Sequence, residues 1–208
     1  YSFVCQCLSG GIVFDEQSDI DNFATNYPGC VRVLGNVNIK DAVTGTINNL
    51  NGLAQLTEIN GDMTIGQFPG PSNINLLSLS GLNNINSIGG TLSISSNSAL
   101  ATLSGLNGLT SIGEHLYISN NNLLINLSGL SVLNSISGGI NINGNDMLTT
   151  LDDLIGLNSI GSFLYIGANS SLATVSGLNG INSLGGTLEI WNNDALMDLN
   201  GLSSLTGV

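Results

Sequence analysis

"GGTLSISSNSALATLSGLNGLTSIG", residues 89–113, closes on the same Ser-Ile-Gly that leads into it at Ser87, and then the phrase starts again. Its apolar letters keep phase at a step of 24 residues: Leu92, Leu116, Ile140, Leu164 and Leu188, with Ile94, Ile118, Ile142, Ile166 and Ile190 beside them. Leu100, Leu103 and Leu106 head three further columns that reach Leu196, Leu199 and Leu202. Aliphatic residues at one phase of a fixed period are what stacked coils require, because a single coil cannot bury its own apolar edge and must do so against its neighbours. The alternation in x-Leu-x-Ile-x predicts a strand with Leu and Ile inward, pairing in parallel with its copies at roughly 4.8 Å per coil.

Two less regular copies precede these, with Ile39 and Ile65 in the strand role and steps of 26 and 29 residues. The extra length falls near Gln67–Asn75, where "QFPGPSN" reads as a loop bulging from one coil, for about seven coils in all. Polar letters repeat as well. Asn97, Asn121, Asn145, Asn169 and Asn193 form a column after the strand, where stacked amides can bond to backbone and to one another. Gly81, Gly105, Gly129, Gly177 and Gly201 form another, broken by Asp153, which suggests a tight bend with unusual backbone angles.

The first 32 residues have a different texture and read as an N-terminal cap, residues 1–32, on a solenoid spanning 33–208, the two making a single domain. In "DEQSDIDNFATNYPG", Ser18 gives a helix start, Ile20, Phe23, Ala24 and Tyr27 share one helical face, and Pro28-Gly29 stop it. All three cysteines lie here, at Cys5, Cys7 and Cys30. One distant histidine and no fourth thiol argue against zinc, so a disulfide staple is expected, Cys7 to Cys30 bracketing the segment and Cys5 left free or paired outside this chain.

The unit L-x-G-L-x-x-L-x-S-I-G-G-x-L-x-I-x-x-N-x-x-L, preceded by "CLSGGIVF", "DIDNFATNYPGC" and "VLGNVNI", resembles the leucine-rich, receptor-L-domain-like repeats of secreted and cell-surface proteins, mainly bacterial ones. The likeness covers nearly the whole chain. It implies an all-β, right-handed parallel β-solenoid with a helical, disulfide-stapled cap, and a role in binding or adhesion at the cell surface. Animal receptors with such domains bind protein ligands, but this chain lacks their cysteine-rich module, so growth-factor recognition does not carry over.

Charge narrows the partners. Two basic residues, Arg32 and Lys40, stand against 14 acidic ones for a net charge of −12, so neither a nucleic-acid backbone nor an anionic lipid surface is an expected partner. No apolar run approaches the roughly 18 residues that cross a bilayer, so membrane insertion is not expected either. Solubility must come from Asn, Ser, Thr and Gly, a surface commoner outside the cell, and the absence of a leader at Tyr1 is compatible with a processed chain, so the expected location is secreted or cell-surface.

With the core letters fixed, function should lie in the outward strand letters. These are bland early on, as in Thr91, Ser93 and Ser95, and aromatic later: His115, Tyr117, Phe163, Tyr165 and Trp191 fall on one face, with Gly139, Asn141 and Asn143 between two aromatic rows and Glu189 at the end. At two coil steps, roughly 10 Å, the rows predict a shallow groove floored by Gly and Asn, suited to a sugar ring or an extended peptide. The expected function is a non-catalytic module presenting this face to a glycan or protein ligand. An ice-binding face would repeat one small polar residue per coil, which these columns do not. Catalysis has little to draw on: His115 has Glu114, Ser95 and Ser119 nearby only by composition, Asp152-Asp153 sit on one bend, and the Asp146/Asp194 phase is interrupted by Ser170, so neither a metal nor a cofactor is expected. The alternative is structural. "LNGLSSLTGV" stops where another "SIGG" should begin, so the chain is expected either to continue or to self-associate end to end into a filament or surface layer. Asn126 and Asn169 carry glycosylation patterns, and Asn169, within the asparagine column, is expected to stay unmodified.

Overall fold

The structure is a computed structural model that describes residues 6–42, 45–67 and 73–207. It is a β-solenoid. Eight strands, Ile12–Phe14, Val37–Ile39, Met63–Ile65, Leu92–Ser95, Leu116–Ser119, Ile140–Asn143, Leu164–Gly167 and Leu188–Trp191, pair in chain order and in parallel, each one turn above the last, so about seven turns separate first from last. The register matches the sequence phase: Leu92, Leu116, Ile140, Leu164 and Leu188 are aligned strand partners, while Val37–Met63 and Met63–Leu92 carry the steps of 26 and 29. Residues 68–72 of the expected loop lie outside the described residues.

A second ladder runs along another side of each turn. Two-residue strands at Gln6–Cys7, Arg32–Val33, Glu58–Ile59, Ser87–Ile88, Ser111–Ile112 and Ser135–Ile136 form one parallel sheet, and Ser159–Ile160 pairs with Ser183–Leu184. These strands are short because Gly follows the buried Ile or Leu in most copies and turns the chain toward the long strand. The core is one aliphatic column. In a single turn Leu92, Ile94, Leu100, Leu103, Leu106, Leu109 and Ile112 are all at most 1% exposed. Burying a Leu or Ile side chain contributes roughly 1.5–3 kcal/mol, so each turn depends on having a neighbour on both sides.

The N-terminal segment is more deeply built into the solenoid than its composition suggests. Ile12–Phe14 pairs with Val37–Ile39 and Gln6–Cys7 with Arg32–Val33, so residues before 33 supply the first strand of both sheets. Between them lie two short helices, Gln17–Asp21 and Phe23–Asn26, in place of one helix starting at Ser18. Ser18 sits inside the first turn with its hydroxyl on the Glu16 carboxylate, and the Asp19 carboxylate accepts from the backbone N–H groups of Asp15 and Glu16. Phe14, Ile20 and Phe23 are fully buried, with the Phe14 and Phe23 rings edge to face at 5.6 Å. The Cα atoms of Cys7 and Cys30 are 5.7 Å apart, a separation a disulfide spans. Cys5 lies outside the described residues.

The asparagine column is a buried hydrogen-bonded ladder. Asn97, Asn121, Asn145 and Asn169 have no exposure, and the Oδ1 atoms of Asn121, Asn145 and Asn169 each accept from the backbone N–H of the asparagine one turn earlier, at 3.1 Å. Each Nδ2 donates to the carbonyl of the strand isoleucine one turn back, as Asn121 does to Ile94 at 2.9 Å and Asn145 to Ile118 at 3.0 Å. The ladder extends further toward the N-terminus than the regular repeat. Asn73 donates to Asn97 Oδ1 at 2.9 Å, and Asp41, fully buried, gives its backbone N–H to Asn73 Oδ1 while its carboxylate accepts from the Gly45 and Ile47 N–H groups and the Thr46 hydroxyl. Asn169 is committed to this ladder and buried, which leaves no room for a glycan.

The residues before Asn97, Asn121, Asn145, Asn169 and Asn193 turn the chain through the left-handed region: Ser96, Asn120, Gly144, Ala168 and Asn192 have φ between 50° and 65°. Asn and Gly tolerate this, whereas Ser96 and Ala168 carry a steric cost of about 1–2 kcal/mol that the ladder on either side holds in place. The glycine column divides into two geometries. Gly81, Gly105 and Gly129 have φ of +111°, +120° and +117°, whereas Gly177 and Gly201 lie in short 3-10 helices, Ser176–Leu178 and Asn200–Leu202; in all five the carbonyl one turn back crowds the place of a Cβ. Asp153 occupies this position in the helix Asp152–Leu154. Burial holds its carboxyl above the ordinary range, opposed by a backbone hydrogen bond at Leu127 and reinforced by the charge of Asp152.

Asn145→Ala removes the acceptor of the Asn121 N–H and the donor to the Ile118 carbonyl, both buried. The expected loss is roughly 2–5 kcal/mol, read as a lower urea midpoint, with exposed Asn122→Ala as the control that leaves the midpoint within experimental scatter.

Candidate aromatic binding face

Outward residues of the long strands line up in three columns because each turn repeats the register of the last. The central column runs Thr64, Ser93, Tyr117, Asn141, Tyr165 and Glu189, and Gly167 is aligned with Trp191 in the column beside it. All eight residues read from the sequence, His115, Tyr117, Asn141, Asn143, Phe163, Tyr165, Glu189 and Trp191, are therefore on one face of one sheet.

Their side chains do not stand as two separate walls. His115 and Phe163, two turns apart, stack at 5.1 Å with 21° between planes, and Phe163 stacks on Tyr165 at 4.7 Å and 19°. Tyr117 joins from the side, 5.7 Å from His115 and 6.2 Å from Phe163, and Trp191 meets Tyr165 edge to face at 6.3 Å. The expected groove is thus closed along its Gly139 side. Gly139 is the cause: with no Cβ it leaves a gap into which the Phe163 ring leans, and an added Cβ would fall 2.6 Å from that ring. Trp191 treats Gly167 in the same way, its indole lying where a Cβ would be. Aromatic rings covering a cross-strand glycine bury their own faces and shield the exposed backbone, each ring pair adding about 0.5–1.5 kcal/mol.

His115 is fixed by more than stacking. Its Nδ1 accepts the Gly139 backbone N–H at 2.8 Å, which puts the ring proton on Nε2 and holds the imidazole over the glycine. This bond uses the nitrogen that a serine-activating arrangement would need, and neither Ser95 nor Ser119 bonds to the ring. Along the central column the trough does persist, since Asn141 lies in register between Tyr117 and Tyr165. Asn143 Nδ2 donates to Asn141 Oδ1 at 2.7 Å, so the two amides present a fixed pair of polar groups beside the rings. His115, Tyr117, Phe163 and Tyr165 are half-buried, and Glu189 and Trp191 are exposed, Trp191 at 38%.

The columns and the aromatic content were readable from the repeat alone, but the collapse over Gly139 was not. A signal for it exists, namely Gly in one turn followed by an aromatic at the same phase in the next, at Gly139/Phe163 and Gly167/Trp191. The other candidates remain scattered. Ser170 donates to the Asp146 backbone carbonyl, Asp152 accepts from Ser176, and among the described residues no cluster of three His, Cys, Asp or Glu side chains converges on a cation position.

Burial raises the Tyr117 phenol above its ordinary value, and the nearby Tyr165 phenol adds to this. The neutral phenol is the form that the fold favours, so its contribution to stability is complete below the ordinary phenol range and is lost as pH rises through the higher folded value. In a titration of phenolate absorbance, Tyr117 should ionise above the ordinary phenol range; Tyr117→Phe should abolish that late phase and Tyr165→Phe should move it down toward the ordinary value.

No protein-family model matches the chain, and no curated protein or solved structure matches it either.

Proposed function

We propose that this chain is a non-catalytic, extracellular binding or adhesion module of the receptor-L-domain-like, leucine-rich kind, and that its aromatic strand face engages a glycan or protein ligand. The observation that carries this reading is the rigid aromatic platform with the Asn141/Asn143 amide pair beside it. Stacking surfaces with a few fixed hydrogen-bonding groups suit sugar rings and extended peptides alike, and the glycine pairing keeps the rings in place without a ligand. Tyr117, Asn141, Asn143, Tyr165, Glu189 and Trp191 form the contact surface, with His115 and Phe163 supporting it.

In this reading Cys7 and Cys30 form a disulfide that staples the helical segment across the first turn, as suits a protein working in an oxidising compartment. The bridge would close a loop of 23 residues around the Phe14, Ile20 and Phe23 cluster.

Trp191 is the sole tryptophan and reports directly on the face. A glycan array together with titration of Trp191 fluorescence should identify a ligand whose affinity falls at least tenfold in Tyr165→Ala and in Phe163→Ala, with the far-UV spectrum unchanged. Trp191→Ala, which removes the reporter, is compared on the array. Retention of full affinity in these variants would move the binding site elsewhere.

A further inference from the structure

A second exposed surface runs along the side of the solenoid that follows the asparagine ladder. We infer that it is a docking stripe for an amphipathic helix with a basic flank on a partner protein. Leu77 is 64% exposed, Leu123 and Ile125 46% each, and Met147 45%, whereas most aliphatic residues of the chain are at or near zero. Isolated exposed apolar residues are ordinary, but these four fall in two neighbouring columns, Leu77 and Ile125 in one and Leu123 and Met147 in the other. The backbone shows it: Ala101 N–H donates to the Leu77 carbonyl, Ile125 to Ala101, Thr149 to Ile125 and Ala173 to Thr149, so one column is hydrogen-bonded turn by turn. Leu123 and Met147 share a second phase two residues earlier, a step of 24 apart.

The stripe is two residues wide and, at roughly 4.8 Å per turn, about 19 Å long from Leu77 to Ala173. A helix of about 13 residues covers that length. Its backing is rigid, with Leu76, Leu100, Leu124 and Leu148 fully buried beneath it.

Charge selects the partner. No Lys or Arg occurs after Lys40, while ten of the fourteen acidic residues do, and Arg32 is already paired with Glu58. Asp146, next to Met147, is exposed on the border of the stripe, and Asp194, at the same phase, is exposed in the turn just beyond Ala173. Two copies of a chain of charge −12 repel each other, and an anionic lipid surface repels it too, whereas a helix with leucines on one side and lysines on its flank satisfies both the apolar column and its acidic border. This surface is separate from the aromatic face and does not depend on what that face binds.

The test uses the full chain and a fluorescently labelled 14-residue Leu/Lys peptide with its leucines on one helical face, compared with a peptide of the same composition whose leucines are scattered. Anisotropy should show the amphipathic peptide binding at least tenfold more tightly. The double variant Leu123→Ser/Met147→Ser should lose that tenfold advantage, and Trp191→Ala should keep it within twofold. Melting curves check that the double variant folds; if it does not, Leu77→Ser is read in its place. Equal affinity for both peptides would reduce the attraction to net charge and overturn the inference, as would unchanged binding in the stripe variants. Sedimentation showing a wild-type dimer that the stripe variants dissolve would also overturn it, by making a second copy the occupant.

Discussion

The buried amide ladder is the interaction on which the other regularities rest. Aliphatic columns alone would let one turn slide or rotate against the next, since Leu and Ile at one phase pack nearly as well in neighbouring arrangements. An asparagine with its oxygen on the next-lower backbone N–H and its nitrogen on a strand carbonyl has no such freedom, because a shift leaves buried polar groups without partners. The ladder thereby fixes the register of the strands to 24 residues, and that register aligns the outward letters into columns.

The ladder also explains how the irregular end is accommodated. Asp41 stands where an asparagine would be and closes the series with a carboxylate that gathers two backbone N–H groups and a hydroxyl. An acid at this place has enough donors around it to stay satisfied without exposure to water. The same position in the middle of the stack would need an amide nitrogen to reach the turn behind, which a carboxylate cannot offer.

Much of this was legible in the sequence. The period, the inward residues, the parallel pairing and the common face of His115, Tyr117, Phe163, Tyr165 and Trp191 all follow from phase, because stacking converts distance along the chain into position in space. What phase did not convey was conformation within a column. Asn73 and Asp41 escaped because they do not follow the strand isoleucine at the regular distance: Asn73 stands 24 residues before Asn97 but eight after Ile65, where Asn97 is three after Ile94, and Asp41 stands 32 residues before Asn73. The groove closed because ring orientation depends on the absence of a Cβ at Gly139, a local matter of shape. The pairing of Ile12–Phe14 with Val37–Ile39 was not legible, since a three-residue strand carries too little alternation to be seen.

The pairing of Phe163 with Gly139, and of Trp191 with Gly167, has a consequence for how such a surface can diversify. A ring that lies over a glycine in this way cannot be moved one turn along the solenoid by a single substitution, because the turn beneath its new position would present a side chain where the ring must lie. Two codons a fixed 24 positions apart have to change together, one gaining an aromatic and the other losing everything beyond Cα. Duplication or deletion of whole repeats moves both at once and keeps the pair intact. A repertoire of these faces should therefore vary in blocks of one repeat, with the pattern of rings shifting as a unit while the letters inside each block stay linked.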